Sequence, residues 1–544
     1  MKKTNIFNNM FPSLDRLTPE LESIFSGRQG CVVIPSIHNP NFYNLFAISI
    51  SLMTRKSKSI EIIIMNQHAG NCKLCQRAAY ARDQMKSWFE QQKLTFQEFS
   101  IEDFSFKSIH FMTPQKYRRE LDALSPILRN SILSYYATSI LQSDSLDRLP
   151  LRYFRNFQNL QNQFSFAQEV LRKSEVAYPI QKEPSGFEFI VSLNGRYPFQ
   201  SGIRDYCHSN SVRYVSLEHG QRHGVNMHLA DFQPQEIRKL DRWIFERVSN
   251  SDQSNLGKIT RVGENWLDKQ ETDGFQNIFL GREAPKNFDK EGRNLLICTS
   301  SLDERFSNLG VDLNGWDSQY QAYDSVIMRA VECDLEVTLK IHPNALNKSI
   351  RDLWRLYRSL SKWRSLRILS PWSDINVFDL IEKNEFFVTW GSSLMISAAK
   401  REKRGFLLGP TNFMSTLGVP VFDPSSVANL NFEDLGKLSK RKALVAAGII
   451  RNWGYDIQSL RNMVREDEFR IEISGQTSDV YRINNHIRKF RERILRRFRF
   501  ILAITKGRHV TPNEIVDFLT YICFLPKRFS VFIVRFAFLT LLKL

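Results

Sequence analysis

No P-loop and no Gly-x-Ser-x-Gly elbow occurs anywhere in the 544 residues, which counts against an ordinary ATPase or serine hydrolase. Cysteine is scarce, 7 residues scattered rather than evenly framed, and Met1-Lys2-Lys3-Thr4-Asn5 leads into no apolar signal core. The expectation is a cytoplasmic protein with reduced thiols. Cys72-Lys73-Leu74-Cys75, with His68 upstream, has metal-like spacing but lacks a second pair, so free thiols are the better account and no metal site is expected. The net charge of +18 comes without a zinc finger or RNP-type motif, so nucleic acid is not expected as a partner. Internal repeats and low-complexity segments are also missing.

The charge is concentrated at one end. From Arg482 to Leu544 there are 14 Lys/Arg against Glu492, Glu514 and Asp517, so this tail carries +11 of the +18. Within it, Ile487, Phe490, Ile494 and Phe498 recur at helical spacing among arginines, the pattern of a basic interfacial helix that would lie on an anionic membrane surface. Ser530 to Leu544 is strongly apolar, but it is short and interrupted by Arg535, below the roughly 20 residues needed to span a bilayer. A C-terminal helix packed on the protein's own domains is the other reading of this tail. Taken together, the expected location is cytoplasmic and peripheral, on the inner face of the membrane.

The length exceeds one ordinary core and implies two or three domains. Strand and helix patterns alternate: Gly30–Pro35 a strand, Phe42–Met53 a helix, Ser59–Met65 a strand, Ala78–Gln92 a helix. A mainly helical stretch at 115–175 reads as an insertion, and strands resume at Phe187–Leu193, Val212–Leu217 and Trp243–Glu246. After a polar stretch rich in turn residues, the alternation restarts with strands at Asn294–Cys298, Leu335–Ile341, Leu366–Leu369, Phe386–Trp390 and Gly405–Leu408. Helices are expected between them at Trp316–Cys333, Lys348–Ser361, Asn376–Glu382 and Ser392–Lys400. This is the signature of parallel sheets with crossover helices. The expected fold class is α/β, two Rossmann-like doubly wound domains facing a cleft, at 1–267 and 294–481, joined by a linker at 268–293 and followed by the basic helical tail at 482–544.

Open parallel sheets bind ligands at the carboxyl ends of their strands. Val337, Leu339 and Ile341 alternate as a strand does, and Pro343 ends the ladder because it has no N–H. Lys340, His342 and Asn344 are thereby delivered to a strand end, where a phosphate-bearing substrate is the natural guest; a packed surface histidine is the alternative for His342. Thr299-Ser300-Ser301-Leu302-Asp303-Glu304 follows another strand, with hydroxyls for phosphate or sugar oxygens and carboxylates for a ribose or an acceptor hydroxyl. Trp390-Gly391-Ser392-Ser393 stands between strand and helix, where exposed N–H groups favour a phosphate. Simple N-capping is the competing account of both hydroxyl clusters. In the first domain Asn194-Gly195-Arg196 ends one strand and Glu218-His219-Gly220 another. Glu218 stands among His219, Arg222 and His223, which would favour its ionised form, and a cleft-facing carboxylate is a reasonable general base. Ordering its own loop is the other role for Glu218.

With these segments in hand, the chain resembles the bacterial capsule and surface polysaccharide biosynthesis proteins, the glycosyltransferase-like family that includes Kdo-type transferases. The matching pieces, in order, are Asn194-Gly195-Arg196, Glu218-His219-Gly220, Thr299 to Glu304, Lys340 to Asn344, and Trp390 to Ser393 followed by a helix and Leu407-Leu408-Gly409-Pro410, over roughly residues 187 to 412. The resemblance implies a GT-B fold whose C-terminal domain, 294–481, holds a nucleotide-sugar donor, with the first domain on the acceptor side. It implies donor phosphate at Lys340 and His342, cradled by Ser392 and Ser393; the strand-end positions themselves add Asn344, Ser300 and Ser301 as donor or phosphate contacts, and Asn194, Arg196, His219, Asp303 and Glu304 as acceptor or sugar contacts. One departure stands out: Ser397-Ala398-Ala399 and Lys403-Arg404-Gly405 replace the usual glutamate and the Gly-Lys-Pro-like turn.

The leading expectation is a glycosyltransferase that moves a sugar from a nucleotide-sugar to a surface or capsular glycan, or to a lipid-linked glycan, with Glu218 as base. No cofactor is required beyond the nucleotide-sugar co-substrate, and no metal, because no Asp-x-Asp-type pair stands at a strand end. The alternatives are a CDP-polyol phosphotransferase and a catalytically silent glycan- or nucleotide-binding scaffold.

Overall fold

The computed structural model describes residues 23–35, 41–66, 73–100, 123, 127, 151–177, 187–195, 198–220, 226–234, 236–273, 293–300, 313–342, 360, 362–363, 365–369, 373, 375–451 and 453–456. By its contacts the chain divides between Ile471 and Glu472, and every described residue belongs to the first unit. The basic tail, Arg196, Ser301, Asp303, Glu304, Asn344, Cys72 and nearly all of the expected helix 348–361 lie outside the described residues.

The first sheet is built from β1 (Gln29–Pro35), β2 (Ser59–Asn66), β3 (Phe96–Ser100), β4 (Phe189–Leu193), β5 (Arg213–His219), β6 (Asn226–Ala230) and β12 (Tyr455–Asp456). Their order is β12-β6-β5-β4-β1-β2-β3. β1 to β5 run parallel, and β6 and β12 pair antiparallel at one edge. Helices α1 (Asn41–Lys56), α2 (Lys73–Gln91), α3 (Leu151–Ala177) and α4 (Pro198–Ser209) connect the parallel strands. Alternate residues of a strand point to opposite faces. Cys31, Val33, Ile63, Met65 and Ile190 accordingly face Phe166, Val170, Phe199 and Ile203 of α3 and α4 in one buried cluster.

The second sheet holds β7 (Asn294–Cys298), β8 (Glu336–Lys340), β9 (Arg367–Leu369), β10 (Phe386–Thr389) and β11 (Arg404–Leu407), all parallel, in the order β11-β10-β7-β8-β9. Both faces are covered, as a parallel sheet requires. Leu295, Ile297, Val337, Leu339 and Val388 pack on one side against α7 (Gln319–Glu332), and Leu296, Cys298, Phe387 and Leu407 pack on the other against α8 (Val377–Lys383) and α9 (Leu394–Lys400). The fold class is therefore α/β, with two Rossmann-like sheets.

Three features depart from the reading of the sequence. Trp243–Glu246 is no strand: it lies inside α5 (Ile237–Ser249), where Leu240 and Ile244 are buried one turn apart. Four apolar-rich residues are too few to tell period 2 from period 3.6. The boundary at 267/268 falls within α6 (Gln253–Asp273), whose Trp266 and Leu267 pack in the core of the second sheet. Finally, after α10 (Met414–Leu417), α11 (Pro424–Ala428) and α12 (Lys440–Ile450), the chain returns to the first sheet as β12, pairing Tyr455 with Met227.

Two contacts tie the halves together. Both oxygens of the Asp241 carboxylate on α5 accept from Ser415 of α10, one from its N–H at 3.1 Å and one from its hydroxyl, and burial holds this carboxyl above its ordinary range. Helices α6 and α12 cross so closely that Gly263 lies against the backbone of Leu444 and Gly448.

The return strand also closes over His228 of β6. That imidazole is 4% exposed, its Nε2–H donates to the Phe232 carbonyl at 2.8 Å, and the Phe232 and Trp453 rings meet it edge-on. Burial pushes its pKa down to about 4. A histidine held neutral when folded but free to titrate near 6.5 when unfolded contributes stability that is complete above pH 6.5 and is lost as pH falls towards about 4. The loss amounts to about 3 kcal/mol. Urea unfolding at pH 7 and at pH 4 should show this fall in excess of that of His228→Gln, whose amide still donates to the carbonyl but does not titrate. An identical fall in both proteins would refute it.

Candidate functional site

In the second sheet the connection from β7 runs to β8 on one side, and the chain later returns to β10 on the other, so the topological switch point lies between β7 and β10. The register aligns Thr389, Cys298 and Lys340 across β10, β7 and β8. Three of the segments named from sequence therefore leave adjacent strands at one edge. Ser300 and Thr389 face each other at the switch point with their hydroxyl oxygens 3.5 Å apart. Thr389 also donates to the Cys298 carbonyl at 2.8 Å. Thr389 was not singled out from the sequence; its only signal is a hydroxyl as the last residue of a buried strand, just before Trp390-Gly391.

The hydroxyls divide by role. The Thr299 hydroxyl accepts the His342 backbone N–H at 2.8 Å, and the Thr299 N–H donates to the Lys340 carbonyl at 3.0 Å, which holds the ends of β7 and β8 together. The Ser300 N–H donates to the Tyr323 hydroxyl at 3.1 Å, turning this residue over the edge. Ser392 Oγ accepts from the Leu394 N–H at 3.3 Å, a local capping contact, whereas Ser393, exposed, makes no side-chain cap bond. Since α9 has only 7 residues, a phosphate reading of this turn rests on its hydroxyls more than on a helix dipole. Lys340 is 6% exposed and His342 is half-buried. Below them burial pushes the Cys298 thiol up to about 12 in spite of the nearby Lys340 cation, so it stays protonated and is no nucleophile.

In the first sheet, β4 and β5 pair Leu193 with Leu217, and one step further Asn194 stands beside Glu218. The Asn194 amide donates to Glu218 Oε2, and the His219 backbone N–H donates to Oε1 at 2.9 Å. Both oxygens of this carboxyl group thus accept from N–H donors. The sequence sets Glu218 among the side chains of His219, Arg222 and His223. Arg222 and His223 lie outside the described residues, and the His219 ring packs 4.4 Å from Phe42 of α1. Asn194 and Glu218, assigned separate roles from the sequence, thus form one unit. Their separation of 24 residues hides this; only strand register reveals it.

The departing positions are also placed. Ser397 is 1% exposed within α9, where Met395, Ile396, Ala398 and Ala399 are buried as well. A glutamate there would be a buried charge, so serine suits this helix. Arg404 begins β11 at the amino edge, opposite the candidate site, and pairs with Glu433 at 3.0 Å. Among the described residues no group of three His, Cys, Asp or Glu is placed to hold a metal ion. No described helix is long and apolar enough to cross a membrane.

No family model and no curated protein matches this chain. Solved structures do show likeness. The beta Kdo 2,4 transferase KpsC of Thermosulfurimonas dismutans aligns at TM-score 0.33 and 12% identity, over 49% of this chain and 80% of its own. UDP-GlcNAc 2-epimerase of Methanocaldococcus jannaschii, in complex with UDP-GlcNAc and UDP, aligns at 0.25 and 13%, over 84% and 99%. The spinosyn rhamnosyltransferase SpnG aligns at 0.23 and 11%, over 78% and 95%. These scores and identities are low, and the function proposed for the chain rests on its own residues.

Proposed function

We propose that this chain is a glycosyltransferase that moves a sugar from a nucleotide-sugar donor to a surface or capsular polysaccharide acceptor. The observation that carries the reading is the convergence at the switch point of the second sheet, where the ends of β10, β7 and β8 bring Ser392, Thr389, Ser300, Lys340 and His342 to one edge. Hydroxyls, the Lys340 ammonium and the His342 imidazole together suit a phosphate-bearing donor. In the reaction, the acceptor oxygen bonds to the anomeric carbon as the bond to the donor phosphate breaks. Lys340 and His342 offset charge on the departing nucleoside diphosphate, and Glu218 takes the acceptor proton. Incubating the full-length protein with a panel of nucleotide-sugars and CDP-polyols tests it. Turnover of a nucleotide-sugar supports the proposal, turnover of a CDP-polyol moves the chemistry to phosphotransfer, and binding without turnover leaves a scaffold.

The basic tail adds a membrane surface to this reading. Its arginines alternate with Ile487, Phe490, Ile494 and Phe498, and each basic side chain near an anionic surface contributes about 1 kcal/mol. Deleting residues 482–544 should release the protein from anionic vesicles in sedimentation while sparing nucleotide binding, and added salt should weaken attachment of the intact chain. Equal affinity of the intact chain for anionic and neutral vesicles, or a truncated protein that loses its fold, would favour a tail packed on its own domains.

A further inference from the structure

Behind Glu218 lies an arrangement that this reaction does not use. The turn after β4 exposes three consecutive carbonyls, those of Leu193, Asn194 and Gly195, and each accepts a hydrogen bond from a side chain of a different element. The Tyr214 hydroxyl on β5 donates to the Leu193 carbonyl. The Gln233 Nε2 amide, in the segment between β6 and α5, donates to the Asn194 carbonyl. The Ser201 hydroxyl on α4 donates to the Gly195 carbonyl at 2.9 Å. Gln233 is itself held: Arg204 of α4 donates to its Oε1, and its own N–H donates to Glu236 at 2.7 Å.

We propose that Tyr214, Gln233 and Ser201 form a positioning clamp that fixes the turn after β4 so that the Asn194 amide donates to the Glu218 carboxylate. The residues are chosen for geometry rather than for burial. Gln233, Ser201 and Arg204 are buried, and apolar side chains there would avoid the cost of desolvating so many polar groups. Desolvation raises the Tyr214 phenol well above its ordinary value, so its hydroxyl keeps the proton it donates. Gly195 completes the device. It has φ +71°, and a Cβ there would collide with the Gln233 amide and come within 3.2 Å of the Tyr214 hydroxyl. The clamp therefore closes onto bare backbone, and any drift of the turn would carry the Asn194 side chain away from Glu218.

This proposal deepens the reading of Glu218 as the site's carboxylate, and its test reads the carboxyl group directly instead of turnover. The intact protein is labelled with a carbodiimide and glycine amide across a pH series, and the Glu218 peptide is quantified by mass spectrometry to give a labelling midpoint. Asn194 donates to the ionised form, so losing or misplacing it should raise the midpoint by about one pH unit. Asn194→Ala sets the full shift. Gln233→Met, which removes the donor without adding charge, and Tyr214→Phe should each move the midpoint in the same direction. Ser192→Ala should not, although it removes a comparable buried hydroxyl bond, 3.1 Å to the Val33 carbonyl on the neighbouring strand. The titratable groups around Glu218 among the described residues, His219 beside it, His228 across the β5–β6 register, Tyr214, and Arg204 with Glu236 behind Gln233, are all left unsubstituted in Gln233→Met, which also removes the Oε1 that accepts from Arg204. Should Gln233→Met fail to fold, Tyr214→Phe gives the same readout.

Unshifted midpoints in the folded clamp variants, an unshifted Asn194→Ala, or an equal shift in Ser192→Ala would each overturn the clamp. A Glu218→Gln protein with normal turnover would instead overturn the base assignment and leave the labelling result standing, so the two failures are distinguishable.

Discussion

Glu218→Gln should cut sugar transfer by about 100- to 10,000-fold, the range typical of losing a general base, while donor affinity is retained. The donor groups stand on the second sheet, whereas Glu218 stands on the first, so the substitution leaves Ser300, Lys340 and His342 untouched. The change is not silent for the fold. Both Glu218 oxygens accept from N–H donors, Asn194 on one side and His219 on the other. A glutamine has one oxygen, so in either orientation its NH2 group faces one of these donors, at a cost of about 1 to 3 kcal/mol. Turnover must therefore be compared at a temperature where both proteins are fully folded. Near-normal turnover under those conditions removes Glu218 from the mechanism, and Asp303 and Glu304 become the next bases to test.

Gly263→Ala should destabilise the protein although it replaces glycine with alanine in the middle of a helix, a change ordinarily worth up to about 1 kcal/mol of added stability. A Cβ at Gly263 would fall closer than 3.0 Å to the Leu444 carbonyl oxygen and 2.7 Å from the Gly448 nitrogen, and a Cβ at Gly448 would meet the Ile259 carbonyl in the same way. These are backbone atoms of a facing helix, and no rotamer change moves them. Helices α6 and α12 would have to separate, disturbing Leu267, Leu444 and Ala447 in the buried layer they share. Overpacking of this kind costs about 1 to 3 kcal/mol, which outweighs the propensity gain. Gly257 is the internal control: it lies on the same helix with nothing within 4 Å of its Cβ position. Gly257→Ala should raise the melting temperature where Gly263→Ala and Gly448→Ala lower it. Three changes of the same sign would show that the helix crossing is not the constraint.

The second sheet was readable from sequence because its strands are buried on both faces and so appear as short apolar runs closed by turn residues, as at Asn294–Cys298 and Phe386–Thr389. What could not be read is order. Nothing in the local pattern places β10 beside β7 rather than beyond β9, and on that adjacency depends the meeting of Ser300 with Thr389. The same limit applies in the first sheet. Asn194 and Glu218 were both recognisable as strand-end polar residues, but their hydrogen bond is a matter of register, and the Gln233 and Arg204 side chains behind them belong to segments with no motif. Within the amphipathic α5 only a short stretch around Trp243 is strongly apolar, which reads as a strand, and the two-residue β12 is too short to leave any period.

The claim on which the functional reading turns is that donor phosphate binds at the edge formed by β10, β7 and β8. Calorimetric titration of a panel of nucleoside diphosphates into the full-length protein and into His342→Ala, with a melting curve for each, tests it most directly. The expected result is that one nucleoside diphosphate binds the unaltered protein and that His342→Ala binds it about tenfold or more weakly, as expected for loss of a hydrogen bond to a charged group, with an almost unchanged melting temperature. Equal binding by both proteins, or a His342→Ala protein that unfolds, would contradict it and mark His342 as structural.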